Sequence, residues 1–211
     1  MNISQSPSSL GSRNYTRQGL LTNVDTGVFT VDWKAAMDVT ALAGLPGGNG
    51  YVPWLLDLFP KRGAAPNDSY RVMLFLGEAF AGANPGLTNT LTIFDSSGYT
   101  EVIVAGLDVG ELNTYRVVGT GGGAFNLYWG TNNVALHSGT AASINDSRAG
   151  NVSFSTQIAA DMSAYTADNR IDFLRVLDGT ALDYAPVPEP SVLFLIGLGG
   201  LLVLRRRKKV E

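Results

Sequence analysis

Short apolar runs separated by turn residues pattern most of this chain. Val28-Phe29-Thr30-Val31-Asp32-Trp33 is rich in β-branched and aromatic residues with partial alternation, which predicts a first strand. Residues 51–59 are aromatic and apolar. Pro53 and Pro60 confine any strand there to an edge or a short segment, because proline gives no amide to a ladder. From Tyr70 the rhythm becomes regular. Strands are predicted over 70–76, 89–94 and 99–105, the last two joined as a hairpin by the four-residue loop Asp95-Ser96-Ser97-Gly98. In 112–118, alternation puts Leu112, Thr114, Arg116 and Val118 on one face and Asn113, Tyr115 and Val117 on the other. The glycine-rich 119–123 breaks this strand. Residues 124–129 and 133–137 then form a second hairpin about Gly130-Thr131-Asn132, and 151–158 and 170–177 complete the set. Residues 38–45 and 159–164 read as short helical or irregular pieces. Strands at a spacing of roughly 8–12 residues with turn signals between them predict an all-β, two-sheet sandwich. No fixed-period repeat is present, which argues against a solenoid or propeller.

The pattern changes at residue 187. Val187-Pro188-Glu189-Pro190 is followed by fourteen uncharged residues, Ser191 to Leu204, and then by Arg205-Arg206-Arg207-Lys208-Lys209. The two prolines hold the chain extended and keep a helix from starting early. The apolar run predicts a C-terminal hydrophobic helix. At about 1.5 Å per residue it would reach about 21 Å, short of a hydrocarbon core of about 30 Å. Its apolar character all round, with Gly197, Gly199 and Gly200, and the five cations at its end favour a membrane segment over a core helix. Long basic stems can snorkel and lengthen the span. By the positive-inside rule those cations stay on the cytoplasmic side.

Pro-Glu-Pro, a short hydrophobic helix and an arginine-rich end, in that order, resemble the PEP-CTERM sorting signal of Gram-negative bacteria. The resemblance covers about a tenth of the chain. It implies recognition by an exosortase, a transpeptidase-like membrane enzyme. It further implies removal of the signal near Pro188-Glu189-Pro190 and delivery to the cell surface or an extracellular polymer matrix. It says nothing of what the delivered body does.

Three segments follow from these patterns: an N-terminal flexible segment or first edge strand (1–27), a sandwich domain (28–186) and the sorting segment (187–211). Hydrophobic residues make up 45% of the chain and charged ones only 16%, which fits a sizeable core and excludes a disordered stalk. The net charge of −3 hides an asymmetry. Without the sorting segment's five cations and two acids, the body keeps ten basic and sixteen acidic residues, a balance of −6. That disfavours nucleic acid or an anionic membrane as the body's partner. The absence of cysteine excludes disulfides, thiolate metal sites and cysteine nucleophiles, and a single histidine, His137, excludes every multi-histidine metal motif. Residues 1–27 lack the cationic start and apolar core of a signal peptide. The expectation is therefore that export residues lie upstream of Met1. The rival topology, a tail anchor with a cytoplasmic body, would push Arg205–Lys209 across the membrane.

A second resemblance lies within 112–177. Tyr115-Arg116-Val117, Phe125-Asn126-Leu127-Tyr128, Val152-Ser153-Phe154 and Asp172-Phe173-Leu174-Arg175-Val176 follow one another as strands do in the concanavalin A-like (laminin G-like) jelly roll. Lectins, glycoside hydrolases and polysaccharide lyases share that fold, so it does not choose a chemistry. The tight Glu-x-Asp-x-x-Glu arrangement of jelly-roll hydrolases is absent, and Asp108 with Glu111 suits a turn beside Gly110. The residues point away from an enzyme. Sugar recognition uses aromatic faces with Asn and Asp fixing hydroxyls. The candidates are Tyr128 and Trp129 beside Asn126, Asn132 and Asn133, and Trp54 near Tyr51 and Asn49. The competing reading is core aromatics with asparagine turns. Adjacent on a strand, Tyr128 and Trp129 face opposite sides, so only one can serve a given face. No cofactor is implied. Calcium could use loop oxygens of Asp146 with Asn145, or of Asp161 or Asp168 with Asn169, and Asp/Asn turns explain these equally well. Three classes remain: a surface or matrix protein that binds glycans, a carbohydrate-active enzyme on the same fold, and a structural or adhesive matrix protein.

Overall fold

A computed structural model describes residues 2–5, 13–23, 27–37, 52–76, 88–157 and 167–182. The expected hydrophobic helix at 191–204, the loop at 45–50 and the short pieces at 38–45 and 159–164 lie outside the described residues. Among the described residues no helix is long and apolar enough to cross a membrane.

Thirteen strands are described: β1 (Asn2–Gln5), β2 (Arg13–Arg17), β3 (Val28–Ala36), β4 (Val52–Leu58), β5 (Asp68–Leu76), β6 (Thr90–Asp95), β7 (Gly98–Ile103), β8 (Asn113–Gly121), β9 (Ala124–Trp129), β10 (His137–Thr140), β11 (Ala142–Asn145), β12 (Val152–Gln157) and β13 (Ala167–Asp178). Every pairing is antiparallel. They form two sheets, six strands in the order β1-β13-β3-β8-β9-β10 and seven in the order β2-β12-β4-β5-β6-β7, with β11 paired to β5. The all-β two-sheet expectation holds. The N-terminal stretch supplies one edge strand to each sheet.

Period-two alternation explains the layering. Phe29, Val31, Trp33 and Ala35 of β3, Tyr115 and Val117 of β8, and Phe125 and Leu127 of β9 point inward from the six-stranded sheet. Leu56 and Leu58, Val72, Leu74 and Leu76, Leu91 and Ile93, and Val152 and Phe154 meet them from the other sheet. Trp33 and Tyr115 stack at the centre, centroids 5.2 Å apart and both fully buried. Each completely buried side chain of this size contributes on the order of 2 kcal/mol through its burial.

Several expected boundaries shift. Strand β4 lies between β12 and β5 rather than at an edge. Its pairing with β5 begins at Leu55, and the β12 register shifts between Ser155 and Gln157, so Pro53 falls where no continuous ladder needs its amide. The β6–β7 loop is two residues, not four, because Asp95 pairs with Gly98, whose φ of 101° closes the turn. The partner of β9 is 137–140 instead of 133–137. Residues 133–136 carry the apolar Val134, Ala135 and Leu136 but form the loop, with Val134 71% exposed.

Candidate functional site

Cross-strand register aligns four outward-facing residues of the six-stranded sheet in one row: Arg175 of β13, Asp32 of β3, Arg116 of β8 and Tyr128 of β9. Two of them are ionised groups with almost no access to water, Arg116 at 0% and Asp32 at 1%. Arg116 donates through Nε to Asp32 Oδ1 at 2.5 Å and through Nη2 to Oδ2 at 3.1 Å. Arg175 donates through Nε to Asp32 Oδ2 at 2.8 Å, and its Nη2 also reaches that oxygen. A carboxylate gripped by two forked cations is a strong arrangement, because charge-assisted bidentate bonds offset the desolvation of the ions.

Part of this outward face, at Thr30 and Arg116, is crossed by the chain itself. After β13, Gly179 takes a φ of 78° and turns the chain back. Residues 180–182 then cross the sheet from β13 over β3 to β8. Thr30 Oγ1 donates to the Thr180 carbonyl at 2.8 Å and accepts from the Leu182 amide at 2.9 Å. Arg116 Nη1 donates to the Leu182 carbonyl at 3.4 Å. The root of this strap is also tied down. Asp178 Oδ2 accepts from the Thr22 amide (2.9 Å) and hydroxyl (3.1 Å) and from the Asn23 amide (2.9 Å). No sequence pattern could give this, since the partners lie 66 to 156 positions apart.

The five candidate sugar-binding residues are not gathered at one place. Tyr128 faces outward in the row above yet is only 4% exposed. Trp129 faces inward, is half-buried against the core, and donates through Nε1 to Asn113 Oδ1 at 3.0 Å. The opposite facing of these two neighbours follows the alternation. Asn126 accepts from the Ser138 hydroxyl at 2.7 Å across the β9–β10 pair. Asn132 is exposed and accepts from the Val134 amide at 3.0 Å, shaping the 130–136 loop. Trp54 lies on β4 and its side chain is outside the described residues, as are Tyr51 and Asn49.

The acids are likewise placed. Asp108 Oδ1 accepts from the Gly110 amide at 2.9 Å and its carbonyl from the Glu111 amide at 3.0 Å, so Asp108 and Glu111 build a turn. Asp146 is held by Arg148, whose Nη2 lies 2.6 Å away, and that bonding draws its carboxyl down to about 2. Among the described residues no group of three His, Cys, Asp or Glu side chains is placed to hold a metal ion. Asp161 lies outside the described residues, as do the side chains of Asp168 and Asn169.

Two clusters had no sequence signal. His137 Nε2 lies 3.0 Å from Asp95 Oδ2, joining β10 of one sheet to β6 of the other. The Ser97 hydroxyl and amide donate to Asp95 Oδ1 at 2.6 and 2.8 Å. Burial would raise the Asp95 carboxyl, but the Ser97 and His137 hydrogen bonds outweigh it and hold it below its ordinary value. Ser97 is bonded to the acid and not to the imidazole, so the trio lacks the serine-to-histidine contact of a nucleophilic relay. On the other sheet Asp57 takes two bonds from Arg71, at 3.0 and 2.7 Å, and lies 3.5 Å from Arg148. Both guanidinium groups lie over the ring of Phe59, Arg148 at 4.2 Å and Arg71 at 5.3 Å.

Residues 186–208 match the PEP-CTERM protein-sorting motif. No sequence among curated proteins matches the chain. Solved structures similar to it include a sialidase at 10% identity and TM-score 0.48, matched over 84% of this chain and 15% of the sialidase. A legume lectin-like domain from Entamoeba histolytica matches at 12% identity and TM-score 0.42, over 85% of this chain and 84% of that domain. The carbohydrate-binding module CBM66 from Bacillus subtilis matches at 9% identity and TM-score 0.31, over 80% and 83%. The chain spans only 15% of the sialidase and 28% of a Bacillus licheniformis GH43 protein that it also resembles. Likeness at this level carries no argument about ligand or chemistry.

Proposed function

We propose that this chain is the cargo of an exosortase: an exported, non-catalytic β-sandwich delivered to the cell surface or extracellular matrix by its C-terminal signal. The sorting motif at 186–208 carries the reading. It begins four residues after Leu182, the last residue described as fastened to the body. In this reading Val187, Pro188, Glu189 and Pro190 form the recognition and removal site. Residues 191–204 cross the inner membrane during transit, and Arg205, Arg206 and Arg207 hold the cytoplasmic end. The test replaces Pro188-Glu189-Pro190 with alanines. The variant stays in the inner membrane with its C-terminus attached; normal surface delivery of it would overturn the reading.

For the body, glycan binding at the β9–β10 end is the function we favour. The exposed Asn132 offers an amide there, three residues after the half-buried Trp129, whose remaining open edge is the aromatic surface at this end. Calcium is a second ligand to test, at the 145–146 loop and at Asp168 with Asn169. A glycan array probed with residues 1–186, with and without calcium, checks both. Binding that falls at least about tenfold in Asn132→Ala or Trp129→Ala supports this site; an array without signal leaves a structural or adhesive matrix role. Turnover of a polysaccharide, lost on a single acid-to-amide change, would move the protein to the carbohydrate-active enzymes.

A further inference from the structure

The strap at 180–182 leads straight into the sorting motif. Three hydrogen bonds fasten it to Thr30 and Arg116, both fully buried beneath it. We infer that Thr30 and Arg116 are positioning residues for the sorting reaction: the clasp fixes how far the removal site can reach from the folded body. This rests on the sorting reading above.

Chain length gives the scale. Five residues, Asp183 to Val187, separate Leu182 from Pro188. Fully extended, that stretch spans at most about 20 Å. With the strap released, the last residue held in the sheet is Gly179, whose amide donates to the Val28 carbonyl at 2.8 Å. The reach from Gly179 to Pro188 is then about 30 Å. A membrane enzyme must bind the Pro-Glu-Pro stretch extended in its cleft, while the hydrophobic run begins one residue later at Ser191. A short tether presses the sandwich against the enzyme and membrane surface, and that steric contact opposes seating of the site in the cleft. The clasp is therefore a brake on processing, and its release is the step that lengthens the tether.

The clasp also ties processing to folding. Its two halves, Thr30 with Arg116 and residues 180–182, meet only once β3, β8 and β13 are assembled. A body that has not closed leaves the tether long. The folded body retains the strap after the signal is removed, so Thr30 and Arg116 keep their strap bonds in the delivered protein.

The test follows signal removal over time in cells that express the full chain and an exosortase. Thr30→Val keeps shape and volume but deletes two of the three strap bonds, and Thr30→Ser restores the hydroxyl. The Val variant loses its signal about threefold or more faster than the parent, and the Ser variant matches the parent. A six-residue Gly/Ser insertion between Ala185 and Pro186 lengthens the tether with the strap intact and gives the same acceleration. Thr30→Val adds nothing further on top of it. Equal rates for parent, Thr30→Val and the insertion overturn the inference, as does slower processing of either variant. The alanine replacement of Pro188-Glu189-Pro190 separates the two failures. If that variant is processed normally, the sorting reading itself falls; if it is blocked while the tether variants behave as the parent, only the clasp falls.

Discussion

The two outer faces of the sandwich carry the same motif to different ends. On the six-stranded sheet Asp32 is held by Arg116 and Arg175; on the seven-stranded sheet Asp57 is held by Arg71 and Arg148. In each case an aspartate on a strand, with almost no exposure, binds two arginines. The surroundings differ. Arg116 has no exposed side-chain surface and carries one strap bond, while Arg175 keeps 40% of its surface; Arg71 and Arg148 keep 24% and 43% of theirs. Arg148 also has Asp146 as a second acid, and Phe59 gives both cations an aromatic face. The first cluster anchors the chain that leaves the body toward the sorting motif. The second fastens the 146–150 turn to its sheet. What lies on top of an ion pair, more than its own geometry, sets how much depends on it.

The sharpest way to break that comparison is to remove each aspartate in turn. Asp32→Ala strands a fully buried guanidinium and is expected to cost about 3–5 kcal/mol. Asp57→Ala leaves cations that water can reach, with Asp146 still at hand, and is expected to cost about 2 kcal/mol. Urea unfolding of both variants checks the order. Equal losses would mean that the strap does not isolate the first cluster.

Gly179→Ala comes next, at about 1–3 kcal/mol. The φ of 78° disfavours any side chain, and an added Cβ would sit 2.6 Å from Asn23 Nδ2. Its loss should appear first as protease cuts within 179–186, before global unfolding. Cuts in the 146–150 turn of that variant would contradict the separation of the two faces.

The smallest effects come from pH. Burial raises the Asp57 carboxyl beyond what Arg71 and Arg148 pull down, so its folded value lies above the ordinary 3.8. Its folded form takes up a proton more readily than the unfolded chain, and its contribution grows as pH falls toward 4. Asp146, held by Arg148 at about 2, and Asp95, held low by Ser97 and His137, have the opposite sign. Their stabilisation is full above about pH 4 and is lost as pH falls through their folded values. Asp57→Asn should therefore steepen the loss of stability between pH 5 and about 3, and Asp146→Asn should flatten it. Thermal melts across that range test both signs.

The same contrast explains what could be read from the sequence. Alternation placed β9 at its true bounds and assigned the faces of 113–118 correctly, because burial on one side of a strand is a local pattern. The sorting motif was legible for the same reason: prolines, apolar run and cations are contiguous. Asp32 within Thr-Val-Asp-Trp-Lys reads as an ordinary outward polar residue, and only partners 84 and 143 positions away make it a buried ion. Strand β11, Ala142–Asn145, gives no readable pattern because Ile144 is its one large apolar residue. Val134-Ala135-Leu136 misled in the other direction: an apolar run there became loop, and β10 formed from the more polar 137–140. Tyr128 was named for a sugar face, and the fold buries it in the Arg175–Asp32–Arg116 row.

In the proposed sorting route the chain divides between a body ending in the strap and a handle that is removed. Intact-mass and C-terminal peptide analysis of the protein recovered from the cell surface tests it directly. The expected mature chain retains residues 179–182 and ends near Pro188-Glu189-Pro190. A surface protein that still carries Arg205–Lys209, or one cut before Gly179, would contradict it.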